Sequence, residues 1–106
     1  MPKPIVIFST CAETDTAQKI ASALLDQHLA ACVSVIENVH STYRWEGKLN
    51  IDNEVLLVIK TMSHLIAAVN DVLKQLSGYE LPECIALDVA GGSHDYLTWL
   101  ASETKG

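Results

Sequence analysis

Apolar and polar positions alternate along this chain with two distinct periods, and the switches between them outline its elements. Residues Ile5 to Ser9, "IVIFS", form a short β-branched apolar run of the kind found in buried strands. "TCAETDTAQ" follows as a loop that opens a helix, with Asp15 and Gln18 spaced as a capping box. Ala17, Ile20, Ala21, Leu24 and Leu25 then recur at helical spacing, with His28 near the end. Cys32 to Trp45 is rich in Val, Thr and Tyr and partly alternates, and Glu46-Gly47 reads as a two-residue hairpin turn. Lys48 to Lys60 returns as a second strand. Its polar middle, Asn50 to Glu54, predicts a bend or bulge, and "VLLVI" predicts burial on both faces. Ser63 is placed to cap a second helix with Leu65, Ile66, Val69, Val72, Leu73 and Leu76 on one stripe, ended by Gly78 and the stiff Pro82 loop. Cys84 to Ala90 reads as a fourth strand. Gly91-Gly92-Ser93 caps a short last helix carrying Tyr96, Leu97, Trp99 and Leu100.

The order is β-α-β-β-α-β plus a helix, which predicts an α+β fold: a ferredoxin-like βαββαβ sandwich with a long central β-hairpin and a C-terminal helix. Residues 1–106 read as a single domain, with two helices covering one face of an antiparallel sheet. The hairpin is longer than such a body needs. Strands of about 13 residues span roughly 40 Å, whereas a domain of this size has a radius of gyration of about 13 Å. A lone ribbon of that length is marginal in water and leaves free edges. Two readings follow: the arm pairs with another copy of the chain in a closed ring, or it bends back over its own core. Tyr43 and Trp45 near the tip favour the first, since aromatics concentrate at interface centres.

Composition narrows the function classes. Of 106 residues, 49% are hydrophobic, enough for a core. Thirteen acidic residues against seven basic ones leave a net charge of −6, which disfavours nucleic acid and anionic membranes as partners. Cys11, Cys32 and Cys84 form no Cys-x-x-Cys pair, and an odd count without framework spacing suits reduced thiols in a cytoplasm. No signal-peptide pattern and no apolar run of about 20 residues is present, so a soluble cytoplasmic protein is expected.

Candidate chemistry is sparse. Cys11 precedes a helix N-terminus, which lowers thiol pKa values, so it reads either as a weak metal or redox candidate or as a plain loop thiol. Cys32 and Cys84 read as small buried hydrophobes. His28, His40, His64 and His94 share no ligand spacing. Lys60, Tyr79 and Glu83 are expected to meet Tyr43 and Trp45 in a subunit cleft, where an ammonium, a phenol and a carboxylate suit a small polar ligand. The competing reading is an ion pair and interface packing. Tyr96 and Trp99 read as anchors for the last helix. Neither a triad, nor paired catalytic carboxylates, nor a phosphate loop stands out, so no enzyme activity is expected.

Five ordered segments, "TAQKIASALLDQHLAACVSVI", "YRWEGKL", "EVLLVIKT", "YELPECIALDV" and "GSHDYLTWL", together resemble the CutA family of divalent-cation tolerance proteins. The resemblance implies a ferredoxin-like homotrimer knitted by its hairpins. It also implies a response to divalent metal ions, copper among them, with no required cofactor and no partner beyond copies of itself. Family members argued to bind copper carry a Cys at the place of Ser9 and a His-His pair just before Tyr79, where this chain has Leu76-Ser77-Gly78. Thiolate and imidazole are what copper selects, so any copper binding here is expected to be weak. The alternative is a PII-like trimeric signalling module holding a small ligand at subunit clefts, an analogy of fold alone. An acylphosphatase-like enzyme would need an Arg in "STCAET", and a copper chaperone a Cys-x-x-Cys there; neither is present.

Overall fold

The computed structural model describes all 106 residues. Its elements run β1 (Pro4–Cys11), α1 (Thr14–Asp26), β2 (Cys32–Trp45), β3 (Lys48–Met62), a 3-10 turn (Ser63–Leu65), α2 (Ile66–Leu76), β4 (Ile85–Asp88) and α3 (His94–Ser102). The strands form one sheet in the order β2-β3-β1-β4, and every neighbouring pair is antiparallel. This is the ferredoxin-like arrangement expected from the element order.

Residues alternate between the two sheet faces. Ile5, Ile7 and Cys11 of β1 and Val55, Leu57 and Ile59 of β3 pack with Ala17, Ile20 and Leu24 of α1 and Val69, Val72 and Leu73 of α2 in one buried cluster. Thr61 is fully buried at the end of β3, and its hydroxyl donates to the Leu29 carbonyl at 2.6 Å, so its polar atom enters the core satisfied. The opposite face holds Val6 and Phe8, Leu56 and Val58, and Ile85 and Leu87. In register they make an apolar surface that no helix of this chain covers fully: Ile85 and Leu87 are about half exposed. "VLLVI" is therefore buried on the helix side only, and Leu56 and Val58 are half-buried.

Several local expectations change. Helix α1 begins after Glu13, which makes no side-chain cap, so Asp15 and Gln18 do not form a capping box. Ser63 opens a 3-10 turn, and α2 starts at Ile66. The Ser63 hydroxyl instead accepts from the Lys3 backbone N–H at 2.9 Å, tying the N-terminal segment down. The fourth strand is shorter than expected, Ile85–Asp88. Ser93 caps α3 through the Tyr96 N–H. The irregularity in the hairpin lies on β2, not in the polar middle of β3. Ile36 faces Leu56 and Val39 faces Glu54, so β2 carries one residue more than β3 over this step, and Asn38 takes φ 61° to accommodate it.

The hairpin continues its ladder to Trp45 opposite Lys48. Glu46 and Gly47 have φ 51° and 77°, the paired left-handed conformations that match the twist of a two-residue hairpin. The molecule measures 44 × 26 × 22 Å. Leu49 and Ile51 on the arm are about two-thirds exposed, so the tip does not fold back onto its own body.

Candidate functional site

Where the arm leaves the body, a groove of about 720 Å³ opens between the hairpin and the loop that follows α2. Thr10 of β1, residues 41–45 of β2, Glu54 of β3 and Tyr79, Glu80, Leu81 and Glu83 of the loop line it. Strand register explains the hairpin's share. Tyr43 and Trp45 sit on the same face of the ribbon as Asp52 and Glu54, because Val39, Ser41, Tyr43 and Trp45 face Glu54, Asp52, Asn50 and Lys48 in turn. Gly78, with φ 81°, turns the chain after α2 and sends the loop back across the sheet end. The Ser9 hydroxyl then pins it, donating to the Glu83 carbonyl at 2.7 Å.

Glu54 is the most enclosed charged side chain here, only 7% exposed. Its carboxylate meets a phenol: Tyr79 Oη donates to it at 2.5 Å. Burial, followed by that bond to an anion, pushes the Tyr79 phenol well above its ordinary range, so Tyr79 stays a neutral donor. Tyr43 Oη donates likewise to Asp52, and this bond raises its pKa. Burial, then the nearby charge of Glu54, raises the Glu83 carboxyl above 4.5.

The sign of that last shift gives a test. Native Glu83 holds its proton to higher pH than the unfolded chain does. Stability is therefore lost as pH rises from the unfolded value through the folded one, and the loss is complete above it. Thermal melts of Glu83→Gln from about pH 4 to pH 7 are expected to lose this component of the pH slope and to show a higher midpoint than wild type at neutral pH.

The structure gathers Tyr43, Trp45, Tyr79 and Glu83 around one groove and leaves Lys60 out. Lys60 lies six residues along β3 from Glu54, roughly 20 Å away, and its Nζ sits 5.7 Å from the centroid of the Tyr96 ring. It forms a cation–π contact with α3, not an ion pair with Glu83. Glu54 is the residue that sequence reasoning misses. Its only signal is a lone carboxylate directly before an apolar run, which reads locally as part of a bend. Tyr96 and Trp99 pack on each other at 5.4 Å but remain 42% exposed, so they hold α3 only in part.

Cys11 is not a loop thiol. It ends β1, is fully buried, and its Sγ donates to the Glu13 carbonyl at 3.4 Å. Burial raises its pKa, opposite to the lowering expected from a helix N-terminus. Cys32 and Cys84 are half-buried rather than buried, and all three thiols are free. His28 and His64 contact the carbonyls of Glu103 and Lys105, fastening the C-terminal tail. No three His, Cys, Asp or Glu side chains stand together in a metal-holding group. A second cavity of about 870 Å³, between α2 and the same loop, is lined by His64, Lys74 and Cys84 among others.

The family model described as CutA1 divalent ion tolerance protein matches residues 5–103. The chain belongs to the CutA1 family. It is similar to the chloroplastic protein CutA of Arabidopsis thaliana, 38% identical over 95% of this chain, and to protein CutA of Homo sapiens, 42% identical over 92%. It spans little more than half the length of these curated relatives, 56% and 55%. The solved divalent cation tolerance protein from Thermus thermophilus superposes with a TM-score of 0.94 at 37% identity, covering 96% of this chain and 99% of that one. The CutA fold thus holds over the whole groove region, from β1 to the loop before β4.

Proposed function

We propose that this CutA-family chain acts in the response to divalent cations as a homotrimer without catalytic activity, in a cytoplasmic setting that suits its three free thiols. The observation that carries the assembly is the uncovered apolar sheet face, continuous along β3 with an overhanging arm. Phe8, Leu56 and Val58 lie half-buried and Ile36, Ile85 and Leu87 about half exposed on it, while Trp45, Leu49 and Ile51 stand out on the arm. Contiguous apolar patches of this kind mark association surfaces. Both sheet edges, β2 and β4, are also unpaired, and a head-to-tail ring would pair them. Light scattering is expected to give the mass of three chains of 11.5 kDa; a clean monomer would remove the proposal.

Direct copper binding should be weak. At the place where a ligating Cys is expected, Ser9 is buried and donates to a backbone carbonyl, and Cys11 is enclosed with its proton held. Titration with copper is expected to show surface binding without a stoichiometric endpoint. A tight site with one ion per chain would refute this part.

A signalling role with a ligand in the arm groove is the second reading, favoured by the groove itself. Its lining sets three carboxylates, Glu54, Glu80 and Glu83, against the single Arg44, so a phosphate-bearing ligand is the wrong charge for it.

A further inference from the structure

We propose that the groove at the base of the arm binds an organic ammonium compound, its charged end held by Glu54 and Glu83 and its carbon body lying against Tyr43 and Trp45. Four observations support this. First, Glu54 is buried, and Tyr79 bonds one of its carboxylate oxygens only, Oε2. No buried side-chain oxygen in the chain lacks a partner, so Oε1, which takes no protein bond, is not fully enclosed, and Glu54 lines the groove. Second, Glu83 lines the same groove and feels the charge of Glu54. Two carboxylates repelling each other there are a deficit that a cation would relieve. Arg44 also borders the groove, but it does not enter among the influences on Glu83.

Third, the phenols are locked as donors to carboxylates, Tyr43 to Asp52 and Tyr79 to Glu54. This fixes the rings as walls and leaves the acceptor character of the site intact. Aromatic faces beside carboxylates attract alkylammonium groups, which combine charge with apolar surface. Fourth, the groove is far too roomy for a bare ion, and no three ligating side chains converge in it. A desolvated divalent metal wants six or more oxygen ligands or a compact nitrogen and sulfur set. An ammonium group needs only two or three acceptors.

All the residues of the site come from one chain, although Trp45 also stands on the arm surface proposed above for association. A trimer with no ammonium affinity would leave the assembly standing and sink the site alone. The test uses the full-length assembled protein with 1,4-diaminobutane and n-butylammonium as probes and butyrate as the control of opposite charge. Calorimetry and Trp45 fluorescence, read in a Trp99→Phe background, report binding. Saturable binding of the ammonium probes is expected, with butyrate inert. Glu54→Gln keeps an acceptor for Tyr79 and removes only the charge, so it is expected to fold and to lose about tenfold or more in affinity. Glu83→Gln, whose side chain makes no bond in the fold, is expected to weaken binding in the same direction and serves if Glu54→Gln does not fold. Absence of saturable binding at millimolar probe, equal binding by both variants, binding of butyrate, or a preference for a divalent metal over both amines would each overturn the proposal.

Discussion

Val58→Asp is expected to split the proposed trimer into single chains of 11.5 kDa. Val58 lies in the middle of β3, opposite Phe8 of β1 and Ser34 of β2, on the face that α1 and α2 do not touch. In a lone chain this position is half-buried, so a carboxylate there can reach water at small cost. In an assembly that closes this face, the same carboxylate would be desolvated among apolar neighbours with no cation opposite. The penalty for an unpaired buried charge is several kcal/mol per ion, and three copies would each bear it. Light scattering across a range of concentrations is the measurement. A variant that still gives three chains would mean that the sheet face is not the contact and that the arm alone must account for any association.

Leu57→Ala, one residue away, is expected to destabilise the chain itself by about 2–5 kcal/mol. Leu57 is fully buried at the centre of the cluster formed by β1, β3, α1 and α2. Truncation removes the transfer energy of the lost carbons and leaves a cavity between a sheet and two helices, which cannot collapse without tilting a helix. Urea unfolding at fixed protein concentration would measure it, because association adds a concentration-dependent share to apparent stability. The unfolding slope should stay unchanged, as the same surface is exposed. A loss below about 1 kcal/mol would mean that the core is looser than its burial indicates. The two neighbours thus separate internal packing from assembly along a single strand.

How much of this is legible in the sequence depends on the range of the interaction. The hairpin with its Glu46-Gly47 turn, the apolar stripe of α1 and the Ser93 cap of α3 depend on spacing within a few residues, and each reads directly from the pattern. The half-covered sheet face does not, because "VLLVI" looks the same whether its second face meets a helix, another chain or water. Within one chain Lys60 stands apart from the groove for a related reason. Its position at a strand end suggests closeness to the Pro82 loop, but β3 runs antiparallel to β1 and carries Lys60 to the far end of the sheet, beside α3. Glu54 needs three-dimensional information: nothing local to "DNEVLL" announces a phenol arriving from 25 residues downstream.

The supernumerary residue between Ile36 and Val39 is taken up by the bulge, so the pairing beyond it keeps its phase. Because β2 takes three steps there while β3 takes two, Val39 lands on Glu54, and Tyr43 and Trp45 look the same way as that carboxylate. Deleting Asn38 would keep this facing, since Val39 would still meet Glu54, and would remove only the local kink. A residue inserted between Glu54 and Val55 acts differently. Matched against Asn38, it would make both strands regular, and every side chain from Val39 to Glu54 outside the turn would change sides. Tyr43, Trp45 and Glu54 would then emerge together on the ribbon's reverse, while His40, Thr42 and Arg44 took their place toward the loop. One added codon on the regular strand would thereby invert the entire arm without appreciably altering its length.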